Sequence, residues 1–366
     1  MRLDGIDVPV QHAVCKPAYC LDPLRDLRWE RFLAAHPRAS MFHSSSWLAA
    51  LRKTYGYECA AYTTARPGAE LENAIVFAKV ESWLTGRRLV SLPFSDHSEP
   101  LVDWEDDAQA LESAVREEFE RDGWDYIEIR PLRSFPFMKG LRSTQLNYSY
   151  HVLDLAPETN AIFENFHKSS TQRKIRRAER EGLTYREGSS EEFVDEFYRL
   201  FLLTRRRHQL PPQPKMWFQN LVESFGDALK IRLALKGGKP VAAILTIGFK
   251  DTLSYKYGAC DARFNNLGCM HMLLWNAIRE AKASGLRYFD FGRSNAGQES
   301  LITFKNRWGA AQSRVTYVRY GLSERSTNLF DLSAAQWKAD TTKWVVSHLP
   351  SRMVSKIGEL LYGHIG

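Results

Sequence analysis

The chain has 366 residues, a net charge of +7 and five cysteines without paired metal-site spacing, which excludes a small disulfide-stapled module and suits about two domains, each with room for its own core. No apolar run approaches the roughly twenty residues that cross a bilayer, so the expected setting is a reducing cytoplasm, with at most peripheral contact at the inner face of the membrane. The basic balance, with a pI near 9.1, biases encounter toward anions without choosing among nucleic acid, phosphorylated ligands and membrane surfaces.

Residues 1–21 show no periodicity and read as an irregular arm. Asp22-Pro23 fits a helix start, with that helix stopped before Pro37. A second helix begins behind the hydroxyls at 44–46, carries Trp47, Leu48, Leu51 and Tyr55 at helical spacing, and ends at Gly56. Three β-like runs follow at 57–64, 74–82 and 88–94, separated by turn signals and expected to form an antiparallel meander. A helix over 106–121 and a strand after Gly123 complete the first half.

The second half repeats this order. A strand at 150–155 precedes helices at 159–167 and 172–181, and Ser189 with Glu192 suggests a capping box for a long helix bearing Phe193, Phe197 and Leu200. A second meander at 229–235, 241–249 and 253–259 leads to a helix over 270–284 and a strand at 288–291. The segment Gly123–Ile129 resembles Gly285–Phe291, and the agreement in element order around the two predicts one fold used twice. The expected boundaries are 22–148 and 149–321. Residues 322–366 would pack across the domains as helix, through Trp337, Trp344 and Val345, then a break at Pro350 and an amphipathic stretch 353–362 that could also touch a membrane.

Residues 285–310 have the density of a site. A short aromatic strand runs into a polar loop and a basic-aromatic turn, bringing Asp290, Arg293, Ser294, Gln298, Glu299 and Lys305 within sixteen positions. The structural alternative is that Asp290 and Arg293 pair and cap neighbouring backbone. The helix 172–181 carries Arg173, Lys174, Arg176, Arg177 and Arg180 around only Ile175 and Ala178. It reads either as a phosphate-binding surface or as a solvated charge run. No His-x-x-x-His pairing supports a metal, and no serine sits in a nucleophile elbow. His43, Asp96 and His97 are expected to shape a cleft.

The layout of the second half, together with Tyr288–Ser294, Phe304-Lys305 and Trp308–Ala310, resembles the tandem-GNAT Fem-type aminoacyltransferases and their relatives in envelope and exopolysaccharide gene sets. Phe42–Ser44 with Trp47, Ser91–Asp96 and the basic helix agree with it. The resemblance implies an α/β fold of two tandem GNAT-like domains, each a mixed, mostly antiparallel sheet flanked by helices. It also implies an N-acyltransferase moving an acyl or aminoacyl group from acyl-CoA, an acyl carrier or aminoacyl-tRNA to an amine on an envelope or exopolysaccharide precursor that is small or nucleotide- or lipid-linked; no DNA partner is expected.

In that frame Lys305 polarises the carbonyl or meets a donor phosphate, beside Phe304. Asp290 takes a proton from the amine, Arg293 and Ser294 grip an anion, and Trp47 and Tyr288 line a channel between the domains. Asn266 and Gly268 lie where the fold ordinarily holds the pyrophosphate of coenzyme A, but the full glycine pattern is absent there. Arg173, Arg176 and Arg177 meet phosphates. The chain lacks the coiled arm of some bridge-forming members. The alternative is a non-catalytic module that holds RNA or an anionic precursor on its basic face.

Overall fold

A computed structural model describes residues 16–321 and 351–365. Its strands are β1 Tyr19–Leu21, β2 Glu58–Thr63, β3 Ile75–Ser82, β4 Gly86–Val90, β5 Tyr126–Ile129, β6 Arg142–Asp154, β7 Thr184–Gly188, β8 Leu229–Lys236, β9 Lys239–Phe249, β10 Thr252–Cys260, β11 Tyr288–Asn295 and β12 Ala311–Gly321. They form one twelve-stranded sheet in the order β1-β2-β3-β4-β5-β12-β6-β11-β10-β9-β8-β7. Read from its two ends, the sheet is the same fold twice. In each half an antiparallel meander is followed by one parallel pairing, and that strand then pairs antiparallel with the strand at the centre.

The central strands are exchanged. β6 follows β5 in the chain yet pairs with β11, whereas β12 follows β11 and returns to pair with β5. β6 and β12 join each other in an unbroken antiparallel ladder from Ala311↔Val152 to Gly321↔Arg142. The short internal repeat has the predicted meaning. The parallel pairings open on Arg88↔Tyr126 and Thr252↔Tyr288, each tyrosine three positions after a glycine with positive φ, Gly123 at +64° and Gly285 at +79°. Such a glycine lets the chain leave a helix and enter a strand at once.

The helices are α1 Trp29–Ala35, α2 Ser45–Tyr55, α3 Glu105–Arg121, α4 Thr159–Glu164, α5 Arg173–Arg180, α6 Glu191–Arg207, α7 Lys215–Phe225, α8 Cys269–Ala283, α9 Glu299–Asn306 and α10 Ser351–Ile365. Strand alternation divides the core. Val76, Ala78 and Val80 of β3 face a core shared with the other half, since Ile231, Leu233, Ala243, Leu245 and Ile247 belong to the same cluster. Ile75 and Phe77 face a separate cluster with α3, and Ile244, Phe289 and Phe291 face another with α4, α5 and α8. One side of the sheet therefore carries a single core through both halves, where Trp47 of α2 meets Trp217 of α7 edge-on at 5.2 Å. The other side carries two cores with the central strands between them.

Several expectations are corrected. The first helix begins at Trp29, because Asp22 spends its carboxylate on the Leu24 N–H in a turn. The arm at 1–21 ends in β1, which pairs with β2; residues 1–15 lie outside the described residues, as do Trp337, Trp344, Val345 and Pro350. Ser190, not Ser189, is the N-cap of α6, no capping side-chain bond forms, and Glu192 pairs with Arg186 instead. The run at 88–94 stops at Val90, where Leu92 and Phe94 both turn to φ +61°. β7 and α7 were not foreseen: β7 lies at the sheet edge with no buried residue, and α7 follows a proline-rich turn.

Introducing a charge at the centre of the exchanged ladder should unfold both halves together. Val315→Asp, fully buried in β12, is expected to cost about 3 kcal/mol or more. Calorimetry should show one destabilised transition; limited proteolysis leaving one half intact would contradict this coupling.

Candidate active site

β11 turns its aromatic residues Phe289 and Phe291 into the α4–α5–α8 core, so Asp290 between them points to the opposite side. There a hollow of about 250 Å³ opens between the halves, with Met41, His97, Tyr150, Ser254, Tyr288 and Asp290 among its lining. Asp290 is buried and makes no ion pair among the described residues. Its carboxylate accepts the Gly292 N–H at 2.6 Å and the Ser254 hydroxyl at 3.4 Å. Burial, and then the charge of Asp96, push its pKa up to about 6 against the pull of the Gly292 N–H, the Tyr150 hydroxyl and the Lys305 charge. Tyr150, across the β6–β11 ladder, approaches His97 Nε2 at 3.4 Å, and burial keeps His97 neutral with a pKa lowered to about 3.

Beside the hollow, the first half inserts a carboxylate into the second. Asp96 ends the strained turn that holds Leu92 and Phe94, which is laced by Arg130: its N–H donates to Ser91 Oγ at 2.9 Å and its guanidinium to the Leu92 carbonyl at 3.0 Å. Asp96 accepts from Lys256 Nζ at 3.0 Å and lies 3.9 Å from Arg293 Nε. Gly292, at φ +70°, is where this approach requires a glycine, since a Cβ would stand 2.9 Å from Asp96 Oδ2. Tyr317 donates to the carbonyls of Ser95 and Asp96, at 3.0 Å each. Burial alone would raise the pKa of Asp96, but Lys256 and Arg293 hold it below the usual carboxylate range.

Lys305 sits on α9 with its ammonium beneath β11, donating to the carbonyls of Gly292 at 2.8 Å and Arg293 at 3.0 Å. Burial pulls its pKa down to about 8 although Asp96 and Asp290 oppose the change. Two carboxylates, Asp96 and Asp290, thus face three cations, Lys256, Arg293 and Lys305, around one strand exit.

The sequence candidates divide accordingly. Asp290, Arg293, Tyr288 and Lys305 come together, but Lys305 is buried under the strand and does not line the hollow. Arg293 does not pair with Asp290; it stacks over Tyr148 at 4.3 Å. Ser294 faces the other side, buried, with its hydroxyl unpartnered. Phe304 packs against His271 in the second-half core. Trp47 is fully buried in the shared core and is not a wall of the channel.

Asn266 is exposed on the 3-10 turn Ala262–Leu267, and Gly268 allows the backbone of α5 to pass, since a Cβ there would overlap the Lys174 carbonyl oxygen. A residue committed to that packing does not fit a pyrophosphate cradle. Arg173 and Arg176 are exposed and Arg177 half-buried on α5, which packs on α8, the side of the sheet away from Asp290. The site residues missed were Tyr150, Ser254 and Lys256. Lys256 left a trace, a lone cation inside an apolar strand run, which implies a buried partner.

The family model described as an acetyltransferase (GNAT) domain matches residues 165–306. UDP-N-acetylmuramoylpentapeptide-lysine N(6)-alanyltransferase of Weissella viridescens is 26% identical over 161 residues, covering 42% of this chain and 47% of that protein, so the match spans about half of its length. Among solved structures, FemX superposes with a TM-score of 0.66 at 14% identity, covering 81% of this chain and 96% of that one. A tandem GNAT protein from the clavulanic acid biosynthesis pathway gives 0.52 at 12% identity, over 84% and 98%. L-PGS from Bacillus licheniformis gives 0.51 at 15% identity, over 92% and 98%. The architecture is that of a tandem GNAT-like protein. Within that class, the chain is similar in fold to FemX and, over part of its length, in sequence to the alanyltransferase.

The perturbed carboxyl gives a stability test. Asp290 has a folded pKa near 6 and an ordinary value of 3.8, so the folded state binds the extra proton between these values. Stability from this group is present below about pH 4 and is lost as pH rises through about 6, a difference of about 3 kcal/mol. Asp290→Asn should therefore be more stable than the native protein at pH 7.5 and equal to it near pH 4, measured by urea unfolding. An Asn variant that is less stable at pH 7.5 would contradict the burial argument.

Proposed function

We propose that the protein is an N-acyltransferase that moves an activated acyl or aminoacyl group onto an amine of a cell-wall or related envelope precursor. The observation that carries this reading is Asp290: a buried carboxylate, free of any ion pair among the described residues, at the wall of a hollow between the halves, with a pKa near 6. A base of that strength is ionised at neutral pH and still able to take a proton from an ammonium group. The GNAT-domain match and the likeness to an alanyltransferase support the same class.

In the proposed reaction the amine sheds a proton to Asp290 and its nitrogen attacks the carbonyl carbon of an ester or thioester. The C–N bond forms as the C–O or C–S bond breaks, and the departing oxygen or sulfur receives a proton. No covalent enzyme intermediate is required. Ser254 and the Gly292 N–H orient the carboxylate. Lys305 acts as a positioning residue, because its ammonium fixes the two carbonyls at the bend after Asp290 and contributes positive potential beneath the site. Aminoacyl-tRNA is the favoured donor over acyl-CoA, since Gly268 is committed to packing and α5 offers a row of exposed arginines to phosphates. An exopolysaccharide acceptor is a narrower variant of the same reading.

Purified protein incubated with aminoacyl-tRNA, acyl-CoA and acyl-carrier pools should consume one donor, read by mass spectrometry. Consumption of none, with RNA or precursor still bound, would favour a binding module. With the active donor, kcat/KM should rise through about pH 6, and Asp290→Asn should lower kcat by about 10²- to 10⁴-fold and remove that limb. An unchanged profile in the variant would remove Asp290 from the chemistry. Lys305→Met should lower kcat more than it raises KM, with a loss of about 1–3 kcal/mol of stability for the carbonyls left unpaired.

A further inference from the structure

Hydrogen positions decide what the hollow beside Asp290 can hold. Of the five hydroxyls in its lining, all but that of Tyr288 have their hydrogen committed to the protein. His43 is buried, and its Nε2 faces the Glu99 carbonyl at 3.0 Å, so Nε2 carries the ring proton and Nδ1 is left a bare acceptor. Ser40 directs its hydroxyl to that Nδ1 at 3.0 Å. Thr252 donates to Asp251 Oδ1 at 3.1 Å, and Ser254 to Asp290 Oδ2 at 3.4 Å. The Tyr150 hydroxyl has the Asp290 carboxylate and His97 Nε2 for partners. With their hydrogens spent, these oxygens present only lone pairs to the hollow.

The charges agree with that polarity. Glu99, Asp251 and Asp290 stand in the lining against Arg38 and Arg133. Arg38 is already held by Asp103 at 2.5 Å and Glu99 at 3.7 Å, and Arg133 is exposed to solvent. Asp290 is only 3% exposed and has no ion-pair partner among the described residues, a condition that costs free energy until a positive group arrives. Met41, Phe42 and Phe249 give the hollow an apolar wall, suited to a methylene stem. The group that fits has several N–H donors, no lone pair to set against the wall, a positive charge and a narrow aliphatic stem.

We propose that Ser40, Tyr150 and Thr252 are the specificity-determining residues of this hollow, admitting the acceptor as a primary alkylammonium and refusing secondary amines, alcohols and carboxylates. The inference rests on the acyl-transfer reading and deepens it. One N–H gives its proton to Asp290, which frees the nitrogen lone pair for the carbonyl carbon, while the two remaining N–H groups are held by hydroxyl oxygens. A secondary amine turns an alkyl group toward one of those oxygens, and an alcohol sets its own lone pairs against them. His43 and Asp251 are positioning residues, because they fix the direction of the Ser40 and Thr252 hydroxyls.

The test is a binding titration of the full chain with n-butylammonium, N-methylbutylammonium, 1-butanol and butyrate, without any acyl donor. Isotope labelling of the methionine methyl groups lets NMR read occupancy at Met41, which lines the hollow and whose signal Met41→Leu assigns. Butylammonium should shift that signal, and the other three probes should bind about tenfold more weakly or not at all. Thr252→Val, at an unchanged melting temperature, and Ser40→Ala should each weaken butylammonium about tenfold. Ser40→Thr should restore native binding, and Ser113→Ala, exposed on α3, should bind as the native chain does. In turnover, Ser40→Ala should raise the acceptor KM more than it lowers kcat and narrow the preference for amine over alcohol. Equal binding of butanol and butylammonium, no binding of butylammonium, or binding indifferent to both hydroxyls would overturn the inference. Acyl transfer to amines that persists beside such indifference removes this inference alone. Hydroxyl-dependent ammonium binding without transfer from any donor removes the catalytic reading and leaves the selectivity standing.

Discussion

The ladder between β6 and β12 is the constraint on which the molecule depends. Each of these strands belongs by chain order to one half and by hydrogen bonding to the other, so neither half can complete its sheet from its own sequence. Because the backbone groups of a central strand must be paired, removing either strand leaves a row of unsatisfied donors and acceptors in the remaining half. The shared aromatic core on one side, with Trp47 against Trp217, reinforces the joint, while the opposite side keeps its cores apart. The cleft is therefore framed by rigid sheet, and its walls cannot drift apart without breaking strands.

This joint places groups from both halves within reach of one another. Asp96 crosses from the first half to Lys256 and Arg293 of the second, and the turn that delivers it holds two non-glycine residues in left-handed conformations. Such conformations cost about 1–3 kcal/mol each and persist where the surroundings dictate them. Here Arg130 bonds the turn, and Tyr317, from the exchanged strand, bonds its last carbonyls. A buried charge cluster of this kind contributes little net stability compared with an apolar filling. It fixes the position of the halves and sets the potential that Asp290 and Lys305 experience.

Much of this was legible in the sequence where periodicity and turn chemistry agree. Both meanders, α2 behind Ser44, α3 and α8 follow from apolar spacing and hydroxyl or glycine punctuation. The repeat around Gly123 and Gly285 maps onto equivalent strand entries. The exchange of β6 and β12 was hidden, because a strand's pattern shows which face is buried and not which neighbour it pairs with. The site was half visible. Asp290, Arg293 and Lys305 are close in sequence and close in space, but Asp96, Tyr150 and Lys256 reach them only through long-range pairing. Trp47 and Gly268 were drawn toward the site by family likeness, whereas their neighbours show that packing accounts for them.

The two halves also show how one scaffold separates structure from chemistry. The register that aligns Tyr126 with Tyr288 aligns Glu128 with Asp290, so each half carries a buried carboxylate at the same place in the same strand. Glu128 is clamped by Arg130 at 2.7 Å and Arg319 at 3.2 Å. Burial opposes its charge, but the two guanidiniums prevail and hold its pKa below the usual range. Asp290 has a hydroxyl and a backbone N–H but no paired cation among the described residues, and its pKa rises. Two carboxylates in different surroundings acquire different tasks: Glu128 serves as a permanent counter-ion, whereas Asp290 is left able to exchange a proton. The asymmetry comes from the placement of arginines, and in the proposed reaction it is what would give the proton-transfer role to the second half without any difference in fold.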